Sequence, residues 1–416
     1  MKLSYDVLKI RDFRLLLLTR ILVMMALQGQ AVIVGWQVYV LTGSPLLLGL
    51  TGLAEAIPAI FASLFAGHFV DIHSPRKIYR ACFAALFINT LGLFLLAGGH
   101  VTVDESLTLI FIYVGIFISG LARSFITPSA FTLLPIAVKR RDIGAATSWL
   151  TSGFQMASIV GPALAGLIYG GYGVGVAWAF PMLLMFAAFM MAVAIRIDRA
   201  PDAQIEARPK AATSILEGWR FLLSNRTLLS LMALDMLAVL FGGAVAILPV
   251  FADQVLQTDA QGLGILRAAP AIGAVATALY FALKPMRYIT ARRMLIVVGG
   301  FGFSMIGFGL STAFISAIIF LFLSGAFDSV SMVIRGTLMQ LLIPEKMRGR
   351  VSAVNSMFVI SSNEIGAFES GAAAAAIGLV PSIVLGGIGT VIVVGLTAIL
   401  SPGFRKLRFD THEDGV

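Results

Sequence analysis

From Ser324 to Gly371 the chain runs SGAFDSVSMVIRGTLMQLLIPEKMRGRVSAVNSMFVISSNEIGAFESG. Two long apolar helical runs flank a short basic break, PEKMRGR. Asp328, Arg335, Glu364 and Glu369 lie inside those runs. A charged side chain at membrane depth costs about 2.5–3.5 kcal/mol on insertion scales, so it faces protein or a water-filled path. Each of the four is therefore a candidate functional group.

The rest of the chain has the same character. Of its 416 residues 59% are hydrophobic and 12% charged, where a soluble domain carries about 25% charged residues. Mean hydropathy is +0.95. The 42 glycines suit close approach of helices in lipid. Net charge is +9, but the basic residues sit between apolar runs. That pattern fits loops beside anionic lipid, not a nucleic-acid surface. The single cysteine, Cys82, excludes an internal disulfide and any multi-cysteine metal site. The first apolar run is too long for a cleavable signal peptide and lacks a small-residue cleavage site.

Twelve spans are long enough to cross about 30 Å of hydrocarbon. Their expected limits are 14–41, 46–71, 77–98, 106–136, 142–170, 173–197, 227–256, 260–284, 291–311, 314–343, 349–375 and 378–400. Thr42-Gly43-Ser44-Pro45, Gly98-Gly99, Gly170-Gly171, Gln257-Thr258-Asp259 and Pro381 separate them. Lys and Arg concentrate in every second loop, which places both termini in the cytoplasm, as an even span count also requires. The expected organisation is a six-helix bundle over 1–197, a cytoplasmic linker over 198–226 and a second bundle over 227–416. Within the linker, SILEGWRFLLSN reads as an amphipathic surface helix.

An internal repeat supports two bundles. One constant shift carries Ser119-Gly120 onto Ser324-Gly325, Gly144 onto Gly349, Gly161 onto Gly366 and Gly166 onto Gly371. Repeated six-helix halves with a midplane site between them are a transporter plan. The fold class expected is an all-α membrane protein, its two six-helix bundles related by a pseudo-twofold.

Three segments resemble the major facilitator superfamily, and more narrowly its drug-exporter-like branch with the enterobactin exporter and macrolide efflux proteins. Gly67-His68-Phe69-Val70-Asp71 with Pro75-Arg76-Lys77 is similar to the signature loop after span two, except that Ile72 stands for Arg and Pro75 for Gly. Ser148, Ala157, Gly161-Pro162 and Ala165-Gly166 resemble the antiporter motif of span five. RGRVSAVNSMFVISSNEIGAFESG looks like the branch's span-eleven signature. The resemblance covers nearly the whole chain. It implies proton-linked export, a conformational latch at Gly67, Asp71, Arg76 and Lys77, and a monomer.

Candidate substrate-binding or proton-coupling residues are Gln28, Gln37, Arg123, Asp235, Asp328, Arg335, Glu364 and Glu369, with Glu55 weaker. Burial can bring a carboxyl near neutrality, and all four histidines lie at span ends or beyond, so carboxylates are the expected proton carriers. Arg123 and Asp328 are repeat equivalents. They are either a pair formed in one state of the cycle or two separate charges. The amides of Gln28, Gln30 and Gln37 either grip substrate or join helices. Gly161-Pro162 is expected to kink and slide. Gly242-Gly243 and Pro249 are expected to interrupt span seven as a gate. Trp36 and Trp178 are expected at the outer interface.

No phosphate loop and no His-Glu-x-x-His pattern exists, which argues against ATP drive and metal catalysis. The expected protein is not an enzyme. It is a cofactor-free inner-membrane exporter of a small organic molecule, a siderophore-like metabolite or hydrophobic drug, drawing on the proton gradient. Its other partner is the lipid bilayer, and nucleic acid is not one. The alternatives are an importer of the same architecture and a non-transporting receptor.

Overall fold

Turn chemistry sets the helix ends. In the computed structural model, which describes residues 5–101, 103–139, 142–197, 211–284, 288–401 and 408–410, α1 spans Arg11–Thr42 and ends at Gly43. Gly43 takes φ 61° and its N–H donates to the Tyr39 carbonyl, a left-handed cap that glycine adopts without steric cost. Next come α2, Pro45–Ile72, and α3, Pro75–Leu96. Ser74 caps α3 and Pro75 opens it. Proline is suited to that first position, where its missing N–H has no helical partner. That accounts for Pro75 where the resembling loop carries glycine.

Helix α4 covers Glu105–Ala137, with Asp104 accepting from the Ser106 N–H as its cap. Helix α5 covers Ile143–Ala194, 52 residues, and folds at Gly173 with φ 78° and ψ 177°. The break between spans five and six is thus a single glycine, not the expected Gly170-Gly171 pair. Then follow α6, Ala211–Ser224, and α7, Arg226–Gly242. Span seven breaks after Gly242 as expected. A 3-10 turn over Ala244–Ile247 leads into α8, Leu248–Gln254, where Pro249 is an N-terminal residue.

The remaining helices are α9 Ala260–Leu283, α10 Ala291–Gly309, α11 Phe314–Leu342, α12 Glu345–Ile377 and α13 Leu379–Leu400. Two short strands that the sequence reading lacked, β1 Tyr288–Thr290 and β2 Arg408–Asp410, pair antiparallel with Ile289 opposite Phe409.

Among the described residues ten helices are long and apolar enough to cross a membrane. One of them, α5, is two spans folded at Gly173. Helix α12 is not one of the ten, and it carries Asn355, Ser362, Asn363, Glu364, Glu369 and Ser370 along its length. At 33 residues it is nevertheless about 50 Å long, and it supplies the twelfth span.

Backbone contacts group the chain into two units: residues 1–43, 54–211 and 259–265 in one, 44–53, 212–258 and 266–416 in the other. The first unit's core gathers Tyr79, Phe83, Leu86, Leu133 and Met185. Thr19 and Tyr79 share a buried hydrogen bond of 2.8 Å there. Its last span ends in a basic collar. Arg80 donates to the Ala192, Val193 and Ile195 carbonyls, Arg11 to Ala194 and Arg76 to Arg196. Cations at a helix C-terminus satisfy its free carbonyls and oppose its dipole.

The second unit's core gathers Leu228, Leu231, Met294, Ile334 and Leu338. Helix α6 turns its apolar side into that core. Leu222 is fully buried, Trp219 packs 5.1 Å from Phe358, and Glu217 pairs with Arg350 at 2.5 Å.

Glycine lets the same contact form in each unit. A Cβ on Gly120 would press on the Glu55 backbone and Pro58, and one on Gly325 on the Pro270 backbone. Ser124 donates to the Ala59 carbonyl at 3.1 Å and Ser329 to the Ala274 carbonyl at 3.2 Å. Gly120 and Gly325, like Ser124 and Ser329, are equivalents in the sequence repeat. Gly325→Val is therefore expected to overpack α9 against α11 and cost about 1–3 kcal/mol. Gly336→Ala, with nothing near the added methyl, is expected to keep stability or raise it by up to about 1 kcal/mol, because alanine favours a helix interior over glycine. Thermal unfolding of the two purified variants checks the contrast.

Candidate functional site

Four of the ionisable side chains inside the spans meet as two ion pairs. In the second unit Asp235 of α7 and Arg335 of α11 form an ion pair, with side chains only 9% and 10% exposed. In the first unit Glu55 of α2 pairs with Arg123 of α4, more openly, at 26% and 45%. Opposite charges on neighbouring spans neutralise each other, and this is how such groups persist at membrane depth. Both pairs couple an arginine to a carboxylate, a geometry that favours charge-assisted hydrogen bonds.

The sequence reading offered Arg123 and Asp328 as a possible pair. Within its own unit Arg123 pairs with Glu55, while Asp328 belongs to the other unit. The equivalent contacts explain the difference. Glu55 faces Gly120 on α2, and the position facing Gly325 on α9 is Pro270, which has no charge to offer. Among the described residues no hydrogen bond or ion pair is formed by Asp328, and Asp235 rather than Asp328 neutralises Arg335.

Span one divides its glutamines. Gln37 is buried, donates to the Ala97 carbonyl at 2.6 Å and accepts from Trp178 Nε1 at 2.8 Å. Both ends of its amide join helices. Trp178 is fully buried by this arrangement, which corrects its expected place at the outer interface. Gln28 packs its Cβ toward Gly161, and a Cβ on Gly161 would come 2.7 Å from the Met25 carbonyl. Gly161 and Pro162 therefore sit where α1 and α5 pack closely. A Cβ on Gly166 would reach 2.6 Å from Gly264 Cα, within the same unit.

Span seven's break is lined by acceptors already in use. The Gly243 carbonyl accepts from Ser370 of α12 at 3.3 Å, and the Val245 carbonyl accepts from Arg267 at 3.5 Å. Glu369 is the neighbour of Ser370 and is half-buried. Glu364, also half-buried, presents its backbone carbonyl 2.8 Å from where a Gly52 Cβ would lie.

Of the latch residues, Arg76 bonds the Arg196 carbonyl, and Lys77 and Gly67 are exposed. The Asp71 side chain lies outside the described residues. Among the described residues no cluster of His, Cys, Asp and Glu suits a metal ion.

Sequence reasoning missed Arg267 in span eight and Arg20 in span one, whose Nη1 lies 3.4 Å from Thr127 Oγ1. The signal that exposed Asp235, a charge inside an apolar run, was present for both. It also missed Asn89, which donates to the Gly115 carbonyl at 3.0 Å and to Ser119 Oγ at 3.1 Å and so ties α3 to α4.

Twelve apolar spans, broken helices and compensated intramembrane charges define a polytopic membrane transporter. Residues 16–367 match the Major Facilitator Superfamily, and the chain belongs to that family. It is a transporter and not an enzyme. The chain is 25% identical over 402 residues to the enterobactin exporter EntS of Shigella boydii serotype 4, covering 95% of this chain and 93% of that protein. It is equally similar, 25% with the same coverage, to EntS of Citrobacter koseri.

Solved structures share the fold. A POT family transporter bound to a thioalcohol-conjugated peptide gives a TM-score of 0.74 at 10% identity, covering 95% of this chain and 97% of that one. An inward-facing bacterial homologue of the iron transporter ferroportin gives 0.70 at 15% identity, covering 95% and 99%.

The two ion pairs differ in their expected energetic weight. Arg335→Ala leaves Asp235 buried without a partner and is expected to cost about 3–5 kcal/mol. Arg123→Ala, at the more open pair, is expected to cost less than about 1 kcal/mol. Unfolding free energies of the two variants in one detergent check the ratio.

Proposed function

We propose that the protein exports a small organic molecule across the cell inner membrane by proton antiport, in a cycle of alternating access with both termini cytoplasmic. The observation that carries the reading is the Asp235–Arg335 pair, a neutralised charge couple inside the spans. A proton delivered to Asp235 removes its charge and leaves Arg335 uncompensated. Such a group then favours a different arrangement of its helices, because a buried lone cation is costly. Substrate and proton can in this way bias one two-state element, which is the requirement for coupling.

The break at Gly242-Gly243 lies on the same span as Asp235 and gives that span a place to move. Irregular backbone at membrane depth is tolerated where it lines a cavity or is buried in protein. The similarity to enterobactin exporters over 95% of the chain supports export and a siderophore-like metabolite. Hydrophobic drugs are the second substrate class. The concentration of Lys and Arg in alternate loops supports the cytoplasmic placement of the termini. The twelve spans are read as two six-helix bundles, 1–197 and 227–416, joined through 198–226.

Everted membrane vesicles test the reading. A catecholate siderophore or a hydrophobic antibiotic is expected to accumulate inside energised vesicles and to leak out when a protonophore is added. Asp235→Asn is expected to abolish the accumulation while downhill exchange continues. Accumulation indifferent to the protonophore, or uptake confined to right-side-out vesicles, contradicts it.

A further inference from the structure

Away from their ends, α7, α9 and α11 carry four Asp or Arg side chains, all in the second unit: Asp235, Arg267, Asp328 and Arg335. Asp235 and Arg335 neutralise each other. Arg267 is left over. Its Nε is enclosed and has no hydrogen-bond partner among the described residues. Its Nη2 makes one long contact, 3.5 Å to the carbonyl of Val245, a residue 49% exposed. A guanidinium has five donors in a rigid fork, so most of its capacity is unused among the described residues.

The acid closest to it along the helix contact does not serve it. Gly325 of α11 sits on Pro270 of α9. Arg267 lies one turn before that contact and Asp328 one turn after it, since three residues are nearly a helical turn. Both helices run in the same direction in a twelve-span chain, so the two charges step apart along the axis. No ion pair joins them among the described residues.

A second observation meets the first. The Val245 carbonyl belongs to the 3-10 turn that interrupts span seven. Interrupted helices in transporters place their substrate groups at the break. Arg267 therefore brings an under-used planar donor fork to the one segment of span seven whose backbone is irregular. Its inner nitrogen is closed off, and its outer end faces an exposed residue.

We propose that Arg267 is the recognition site for an anionic oxygen group on the transported molecule, a carboxylate or an acidic phenol, received as a bidentate ligand beside the break in span seven. Arginine suits this because its fork matches a pair of oxygens and its charge is not lost at neutral pH. The proposal rests on the reading that the protein moves a small organic molecule. It adds that the molecule carries an acid, and that its acid end is held by span eight.

Binding is measured on the full chain in nanodiscs of phosphatidylethanolamine and phosphatidylglycerol, without a proton gradient. Thermal unfolding is followed with benzoate and salicylate against their neutral amides, benzamide and salicylamide. A ligand of the folded state raises Tm with concentration. The acids are expected to raise it and the amides not. Arg267→Gln is expected to weaken the acids roughly 30-fold or more. Arg267→Lys keeps the charge without the fork and is expected to fall between.

Phenylglyoxal labelling of the wild-type protein, read by peptide mass mapping, needs no variant: the acids protect Arg267 and the amides do not. The proposal is overturned by amides that act as well as acids. It is equally overturned by acids without effect into the millimolar range, by full acid binding in Arg267→Gln, or by labelling that no acid suppresses. A failure of proton-dependent flux in vesicles leaves this result untouched, so the two readings fall separately.

Discussion

A charge at membrane depth is costly unless an opposite charge on a neighbouring span meets it, and two pairs of spans in the described structure meet in this way. Asp235 and Arg335 do so most fully, with both side chains about nine-tenths buried. Glu55 and Arg123 do so in the first unit with more of each side chain open. Breaking a buried pair strands a charge, whereas dissolving an open one costs little. The deep pair is thus a strong constraint on the packing of α7 against α11, and a natural place for a proton to act.

Helix contact in lipid comes from close packing, because acyl chains are as apolar as leucine. Here glycine provides it. Gly120 and Gly325 lie on backbone of the next helix, and each is followed one turn later by a serine that bonds a carbonyl there. The charged residues then fall one turn beyond the glycines, at Arg123 and Asp328. The repeat conserves the packing and inverts the charge. This is why Glu55 has a role in one unit that Pro270 cannot take in the other.

Span positions were legible because they rest on local signals: apolar length, capping serines and aspartates, and turn glycines. The fold family was legible in the loop after span two and in span eleven. Partner choice was not. That Arg123 meets Glu55 depends on which turn of α2 faces Gly120, and a period in sequence does not fix that register. Trp178 was misplaced because an interfacial tryptophan and one bonded to a buried glutamine look alike in an apolar run. The bend at Gly173 escaped because three glycines, Gly170, Gly171 and Gly173, offered it within four positions. Arg267 has no counterpart charge in the repeat or in its own span to mark it out in the sequence, as Arg123 had in Asp328. Its meaning arises from the neighbouring break in span seven, which only the folded chain brings beside it.

The most direct test of charge compensation is an exchange of the deep pair. Asp235→Arg, Arg335→Asp and the double exchange are compared by unfolding free energy in one nanodisc preparation. The account predicts that each single change strongly destabilises the protein and that the exchange recovers most of the loss, with a coupling of at least about 2 kcal/mol. A double variant as unstable as the sum of its parts would contradict it.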